Sequence, residues 1–130
     1  MRISRSVGYG LLAVGFIAQN PDKSIILSNA ISEKYKIPLE YLLKIMQSLV
    51  RANILRSKRG PRGGFSLAGP LAKITMLDVI EAVDGPMEAS LYLDENAPAD
   101  KFAKKAEAAY KKVLAQGRAA YKKVKLSDLI

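Results

Sequence analysis

Arg59-Gly60-Pro61-Arg62-Gly63-Gly64-Phe65 is the stretch of this chain whose residue types and spacing most clearly imply chemistry. Glycine reaches backbone conformations closed to other residues and proline fixes one torsion, so the segment reads as a hairpin tip between Asn53-Ile54-Leu55 and Phe65-Ser66-Leu67. Arg56, Lys58, Arg59 and Arg62 make that ribbon basic. A narrow basic ribbon can reach DNA phosphates or place an arginine in a minor groove, and it can also be an ordinary solvated loop. Catalytic alternatives fall away on composition. The chain has no His and no Cys, so no Ser-His-Asp triad, Cys-His pair or typical zinc site can form. Asp94, Glu95 and Asp100 offer oxygen ligands without EF-hand spacing and read as a solvated loop, so no metal is expected. Gly60 to Gly64 lacks the Gly-Lys-Ser/Thr ending of a phosphate-binding loop. The chain is not expected to be an enzyme.

The 130 residues suffice for one domain with a modest core, or a small domain plus an extension. The net charge of +9 is uneven: residues 1–75 carry 12 Lys/Arg against 3 Asp/Glu, residues 76–100 carry 7 Asp/Glu and no Lys or Arg, and residues 101–130 carry 9 Lys/Arg against 2 Asp/Glu. A basic first part fits a polyanion, with the acidic middle turned away from it. No helix pairs a lysine-rich face with a broad aromatic one, so nucleic acid is a better partner than a membrane. The longest apolar run, Leu11 to Ala18, is too short for a span, and the start of the chain shows no signal peptide. These features predict a cytoplasmic protein, with which the lack of cysteine is compatible.

Periodicity predicts the elements that hold the ribbon. Ile3 to Gln19 forms a first helix with Val7, Leu11, Val14 and Ala18 inward, closed by Asn20-Pro21-Asp22. Ser28 reads as the N-cap of a second helix through Lys36, with Ile31 and Tyr35 inward. Pro38 opens a third helix to about Ala52, with Leu42, Met46, Leu49 and Val50 inward. Helix, short turn, helix and basic ribbon is the order of a winged helix-turn-helix, a mainly α fold with a small β-hairpin wing. Its third helix would present Glu40, Tyr41, Lys44 and Gln47 to base edges in a major groove. Arg2, Ser28, Pro38, Ser48, Arg51, Arg56, Lys58, Arg59, Gly60 and Arg62 complete the candidate DNA-contacting set. A polar helix face alone means little; a basic wing within ten residues of it favours double-stranded DNA.

From Ala99 to Val124 the positions Phe102, Ala106, Tyr110, Val113, Gly117, Ala120 and Val124 recur at three- and four-residue steps. This is an amphipathic helix of about 25 residues, long for such a chain. It buries its stripe on its own domain or on a second copy, and the small residues favour close approach and a homodimer. The chain divides into a DNA-binding part (1–75), a linking helix with an acidic loop (76–100), and the long helix with its tail (101–130).

These residues resemble the IscR/NsrR/CymR-type ("Rrf-two") family of bacterial transcription regulators. The matching pieces are Met1-Arg2-Ile3-Ser4 with Tyr9; Ile37, Leu39, Tyr41 and Leu42; the wing from Lys58 to Leu67; Asp78 to Gly85; and Leu126 to Ile130. The resemblance implies a winged helix-turn-helix with a long C-terminal dimerisation helix, acting as a homodimer on a palindromic operator, usually as a repressor. Many members ligate an iron–sulfur cluster through three cysteines, which by alignment would fall near Ser90, Ala97 and Phe102. None is cysteine here, so no cofactor is expected. Two readings stay open: a cysteine-free branch that answers to a small molecule or partner protein, or a cluster-sensing regulator whose cysteines have been replaced. A third is a constitutive DNA-binding protein with no sensor. Tyr9, Phe16, Ser90, Tyr92, Ala97 and Phe102 are the candidate effector region, and whether the aromatic residues enclose a pocket separates these readings.

Overall fold

The computed structural model describes residues 3–60 and 63–130. The order is α1 (Arg5–Ala18), α2 (Ser28–Tyr35), α3 (Leu39–Arg51), β1 (Leu55–Lys58), β2 (Gly64–Leu67), a 3-10 turn (Leu71–Lys73), α4 (Met76–Asp84), the short α5 (Leu93–Asn96), α6 (Lys101–Lys123) and a second 3-10 turn (Leu126–Leu129). The expected helix-turn-helix and wing are present. Their core is one cluster that includes Val14, Ile17, Ile26, Ile31, Ile37, Leu42, Met46, Leu49, Leu55, Phe65 and Val79.

Several boundaries and facings differ from the sequence reading. α1 starts at Arg5 and turns Val7, Gly10, Ala13, Val14 and Ile17 inward, leaving Leu11 and Ala18 half-buried. Gly10 belongs there because α1 lies so close to α3 and α4 that an added Cβ would sit 3.2 Å from Val83 and 3.6 Å from Ile45. Ser28 is the first residue of α2, not its cap; Leu27 holds the cap position and no side chain caps it. Pro38 is the N-cap of α3, and Ile45 is buried in the core, whereas Val50 packs against it half-buried. The strand begins at Leu55 because Asn53 takes a left-handed turn (φ 62°). α6 begins only at Lys101: Ala99 is left-handed and the Asp100 carboxylate accepts the Ala103 N–H at 2.9 Å, which assigns Asp100 to a cap and not to a cation.

The wing is an antiparallel pair, with Leu55 opposite Leu67 and Lys58 opposite Gly64. It is pinned to the segment before α2, because Ile26 and Phe65 exchange both backbone hydrogen bonds at 2.8 Å. This approach requires a glycine next door. A Cβ on Gly64 would lie 2.5 Å from the Ile26 carbonyl oxygen. At the other end, Thr75 and Asp78 form a reciprocal capping box at the start of α4. The chain's tail returns to this point, where Met76 N–H donates to Val124 O at 2.8 Å and Leu126 N–H to Ile74 O at 2.9 Å.

Three carboxylates fasten the acidic segment. Asp84 accepts the backbone N–H of Ser4 at 2.9 Å and also the Ser4 hydroxyl. Glu81 accepts from Arg118 of α6 at 3.0 Å and from the Met87 N–H at 3.2 Å; the Arg118 hydrogen bond holds its carboxyl below the usual glutamate range. Glu107 of α6 accepts the Leu91 N–H at 2.9 Å, the Leu93 N–H at 3.1 Å and the Ser90 hydroxyl at 3.3 Å. The Leu93 and Leu91 N–H bonds and the Ser90 hydroxyl lower its pKa from the ordinary 4.5.

Two outcomes follow from this packing. Gly64→Ala should destabilise the fold by about 1–3 kcal/mol in denaturant unfolding, since the clash is with backbone that cannot turn aside, whereas Gly15→Ala in open helix should stabilise by about 0.5–1 kcal/mol. Glu107 is held ionised in the folded chain, so its grip on residues 90–93 is complete above pH 4.5 and lost as pH falls through the lowered folded value. Glu107→Gln should therefore speed hydrogen exchange at the Leu91 and Leu93 amides at neutral pH and remove the acid dependence of that exchange.

Candidate nucleic-acid interface

α3 is strongly two-sided because its apolar positions fall at three- and four-residue steps. Leu42, Ile45, Met46 and Leu49 are buried, and the opposite side carries Glu40, Lys44, Gln47 and Arg51 in solvent. Ser48 is half-buried there; its hydroxyl donates to the Lys44 carbonyl at 3.2 Å and accepts from Arg51 Nη2 at 3.2 Å. Leu43, Lys44, Gln47, Ser48 and Arg51 together line one shallow depression. Leu43 is the member of this face that polarity alone did not single out: half of it packs on the core and the rest lies among the polar residues.

Tyr41 is 42% exposed at the first turn of α3 and also contacts α1. Its ring meets Tyr9 edge-on with centroids 5.7 Å apart, and its hydroxyl is hydrogen-bonded to Ser6. It thus ties the first turn of α3 to α1. Ser28 is half-buried at the start of α2 and Pro38 is exposed at the start of α3. Arg56 and Lys58 are exposed on β1, followed by exposed Arg59 and by Gly60 at φ 105°. The Gly63 N–H donates to the Gly60 carbonyl at 2.8 Å and closes the tip. Arg2 and Arg62 lie outside the described residues. The geometry suits a duplex: a helix with a free polar face, and a basic ribbon two residues after that helix's end turn, fixed by its backbone to the same core.

The residues proposed to surround an effector do not all share one cavity: Ser90 and Tyr92 line a depression with Glu107, and Tyr9 lines a separate apolar cleft with Leu12, Met76 and Tyr121. Phe16 packs edge-on against Tyr35, with ring centroids 6.2 Å apart, and Tyr9 is taken up by Tyr41. Tyr92 is half exposed; its hydroxyl donates to Glu88, which raises its pKa. Phe102 is 79% exposed. Ser90 is engaged by Glu107, and Ala97 is half-buried behind α5.

The seven positions of the long-helix stripe divide between two faces. Tyr110 turns to its own chain, where its hydroxyl donates to the Glu88 carbonyl at 2.7 Å, beside Ala103, Leu114 and Tyr121. Val124 lies just past the helix end, half-buried. Phe102, Val113 and Ala120 face solvent, and Ala106 and Gly117 lie at the margin between the faces. Advancing roughly 100° per residue puts Leu114, absent from the expected stripe, at the centre of the inward face.

Residues 3–130 match the sequence profile of the Rrf2 family, described as iron-dependent transcriptional regulators. Among curated relatives, BadM of Rhodopseudomonas palustris, named as an HTH-type transcriptional regulator, is 42% identical over 80 residues, 62% of this chain and 51% of that protein. An HTH-type regulator of Aquifex aeolicus is 41% identical over 81 residues, 62% of this chain and 56% of that protein. The matched region thus spans about half the length of these relatives. Among solved structures, CymR, the global cysteine regulator of Bacillus subtilis, superposes with a TM-score of 0.80 at 22% identity, covering 99% of this chain and 95% of that one. A transcriptional regulator from Listeria innocua superposes with a TM-score of 0.79 at 27% identity, covering 99% and 85%.

The iron in the family description does not suit this chain's donors. There is no thiol or imidazole anywhere in the sequence, the hydroxyl of Ser90 is engaged by Glu107, and no group of three or more acidic, His or Cys residues that could hold a metal lies among the described residues. No helix among them is long and apolar enough to cross a membrane. With a winged helix-turn-helix in place and a profile match over residues 3–130, the chain belongs to the Rrf2 family of DNA-binding transcriptional regulators.

Proposed function

We propose that this chain is a cytoplasmic repressor that binds a palindromic operator as a homodimer and needs no iron–sulfur cluster. The observation that carries the reading is the exposed Glu40, Lys44, Gln47 and Arg51 face of α3 next to a basic wing locked to the same core. Lys44 and Gln47 suit base edges, whereas Arg51 and the wing cations suit phosphates. One such domain reads one half-site, and the exposed Phe102, Val113 and Ala120 of α6 offer the surface on which two chains would join. A small molecule or partner protein modulates the dimer through its differential affinity for two arrangements of the wings. Phe16 packs on Tyr35 and Phe102 is exposed, so the four aromatic residues do not enclose one pocket, which supports an effector acting at the acidic loop beside Ser90 and Tyr92 or at the apolar cleft lined by Tyr9 and Tyr121.

Arg59→Ala should weaken operator binding by about 1–3 kcal/mol in a gel-shift titration at fixed salt, with Lys44→Ala relaxing preference at one symmetric base pair and Arg51→Ala weakening all sequences alike. Unchanged affinity for Arg59→Ala, or an identical selected motif for Lys44→Ala and the parent, removes the assignment. Ala106→Glu should leave a folded monomer in light scattering that keeps salt-sensitive non-specific binding, as the basic first 75 residues are untouched, and loses tight binding to the full palindrome.

A further inference from the structure

We propose that the lysine-bearing side of α6 holds a second DNA duplex by its phosphates, without regard to sequence, while α3 and the wing hold the first. The proposal goes beyond the repressor reading and takes from it only the DNA contact of α3 and the wing.

Lys104-Lys105, Lys111-Lys112 and Lys122-Lys123 follow one another at intervals of seven and eleven residues. At about 100° per residue both intervals come within about 20° of whole turns, so the three pairs share one side of the helix. All six lysines are exposed, as are Ala108, Ala115 and Ala119 between them. This side is neither the inward one of Ala103, Tyr110 and Leu114 nor the apolar one of Phe102 and Val113. A helix side that only has to stay wet interleaves carboxylates with lysines, because opposite charges four residues apart stabilise it and like charges do the reverse. Glu107 is the one acidic residue in the 23 of α6, and it is turned to the acidic loop. The lysines on the bare side repel one another, and a polyanion relieves that repulsion.

The spacing fits a duplex. At a rise of about 1.5 Å per residue, the midpoints of successive pairs lie about 10 Å and about 16 Å apart. A line along B-DNA meets the two backbones at unequal intervals, the shorter across the minor groove and the longer across the major, which are about 6 and 12 Å wide before the phosphates are counted. Lysine is a point charge on a flexible stem, suited to phosphates and without the planar fork that reads base edges. An anionic membrane is the poorer partner, because the residues between the pairs on this side are alanines, with nothing to insert among acyl chains. α4 is packed between α6 and α3, and the lysine side is turned away from α4, so it meets a different duplex from the one under α3. Asp94 and Glu95 of the acidic loop share a depression with Lys104 and Lys111. Lys105, Lys112, Lys122 and Lys123 lie outside that depression and are the cations to test.

Two measurements test this. A full chain carrying Lys44→Ala, Arg51→Ala and Arg59→Ala, disabled in α3 and the wing, should still shift a duplex of about 30 base pairs and arbitrary sequence at about 50 mM salt. Adding Lys105→Gln, Lys112→Gln, Lys122→Gln and Lys123→Gln should lower that affinity about ten-fold or more, and should reduce the slope of log affinity against log salt by about three to four. A disabled chain that binds no duplex, or binds as well without those lysines, overturns the proposal. If the disabled chain binds a site recovered by randomised selection as tightly as the parent does, the fault lies in the reading of α3 and the wing and not in the lysine side. Bridging is read from beads that bear a duplex with that selected site. The parent on such beads should retain a labelled duplex lacking the site, and the chain with only the four lysine substitutions should load equally and retain none. A four-lysine variant that instead loses affinity for the bead duplex places these lysines on the same duplex as α3 and overturns the two-duplex geometry. Retention of phosphatidylserine vesicles with no labelled duplex overturns it in favour of a membrane. Glutamine keeps the helix propensity of lysine, and circular dichroism checks the fold of each variant.

Discussion

The two hydrogen bonds between Ile26 and Phe65 decide what the rest of the molecule can do. A two-stranded ribbon is marginal on its own, and here Leu55 and Phe65 bury one side while Ile26 supplies a third edge. The wing is therefore an outgrowth of the helix-turn-helix core and moves with α3. In the proposed complex, cations on such a ribbon would reach phosphates at a fixed distance from the groove entered by α3, which a free loop would achieve only at an entropic cost. The condition for this arrangement is the lack of a side chain at Gly64.

A second constraint is the length of α6. Its 23 residues outrun the body that it packs on, so one face is satisfied internally by Ala103, Leu114 and contacts from Tyr110, and an adjacent face is left bare. The helix is also a strut. Glu107 ties the acidic loop to it, Arg118 ties α4 to it through Glu81, and the tail beyond it pairs with Ile74 and Met76. Anything that shifts α6 must carry the acidic loop along and pull on the C-terminal end of the winged domain.

Much of this was legible in the sequence because it rests on local patterns. The three-helix order, the hairpin tip and the two-faced α3 all follow from period and turn chemistry at Asn20-Pro21, Pro38 and Gly60-Gly64. What was not legible depends on tertiary contact. Gly10 reads as a weak helix residue until Val83 is brought against it. Tyr41 sits on the polar side of α3 by period and stays exposed, and only the approach of α1 supplies Tyr9 and Ser6 as its neighbours. From sequence alone the long-helix stripe reads as one face, because adjacent apolar seams on a helix differ by a single residue step and choosing between them requires knowing where α4 lies.

The acidic loop is held in shape by hydrogen bonds to a single carboxylate. At Ser90, one of the positions to which the family resemblance assigns a cysteine, this chain has a hydroxyl that Glu107 of α6 gathers together with the N–H groups of Leu91 and Leu93. A carboxylate accepting several N–H bonds is a strong local tie, but an exposed one gives up its hydrogen bonds to water readily. The loop is thus fixed at rest and detachable at modest cost, with Tyr92 and Ala99 left-handed on either side of α5. A ligand that offers Leu91 and Leu93 a different acceptor, or Glu107 a different donor, competes for the same hydrogen bonds that anchor the loop to α6. Under the homodimer proposed above, coupling to DNA would run through α6, and the input would be an exchange of hydrogen-bond partners at Glu107.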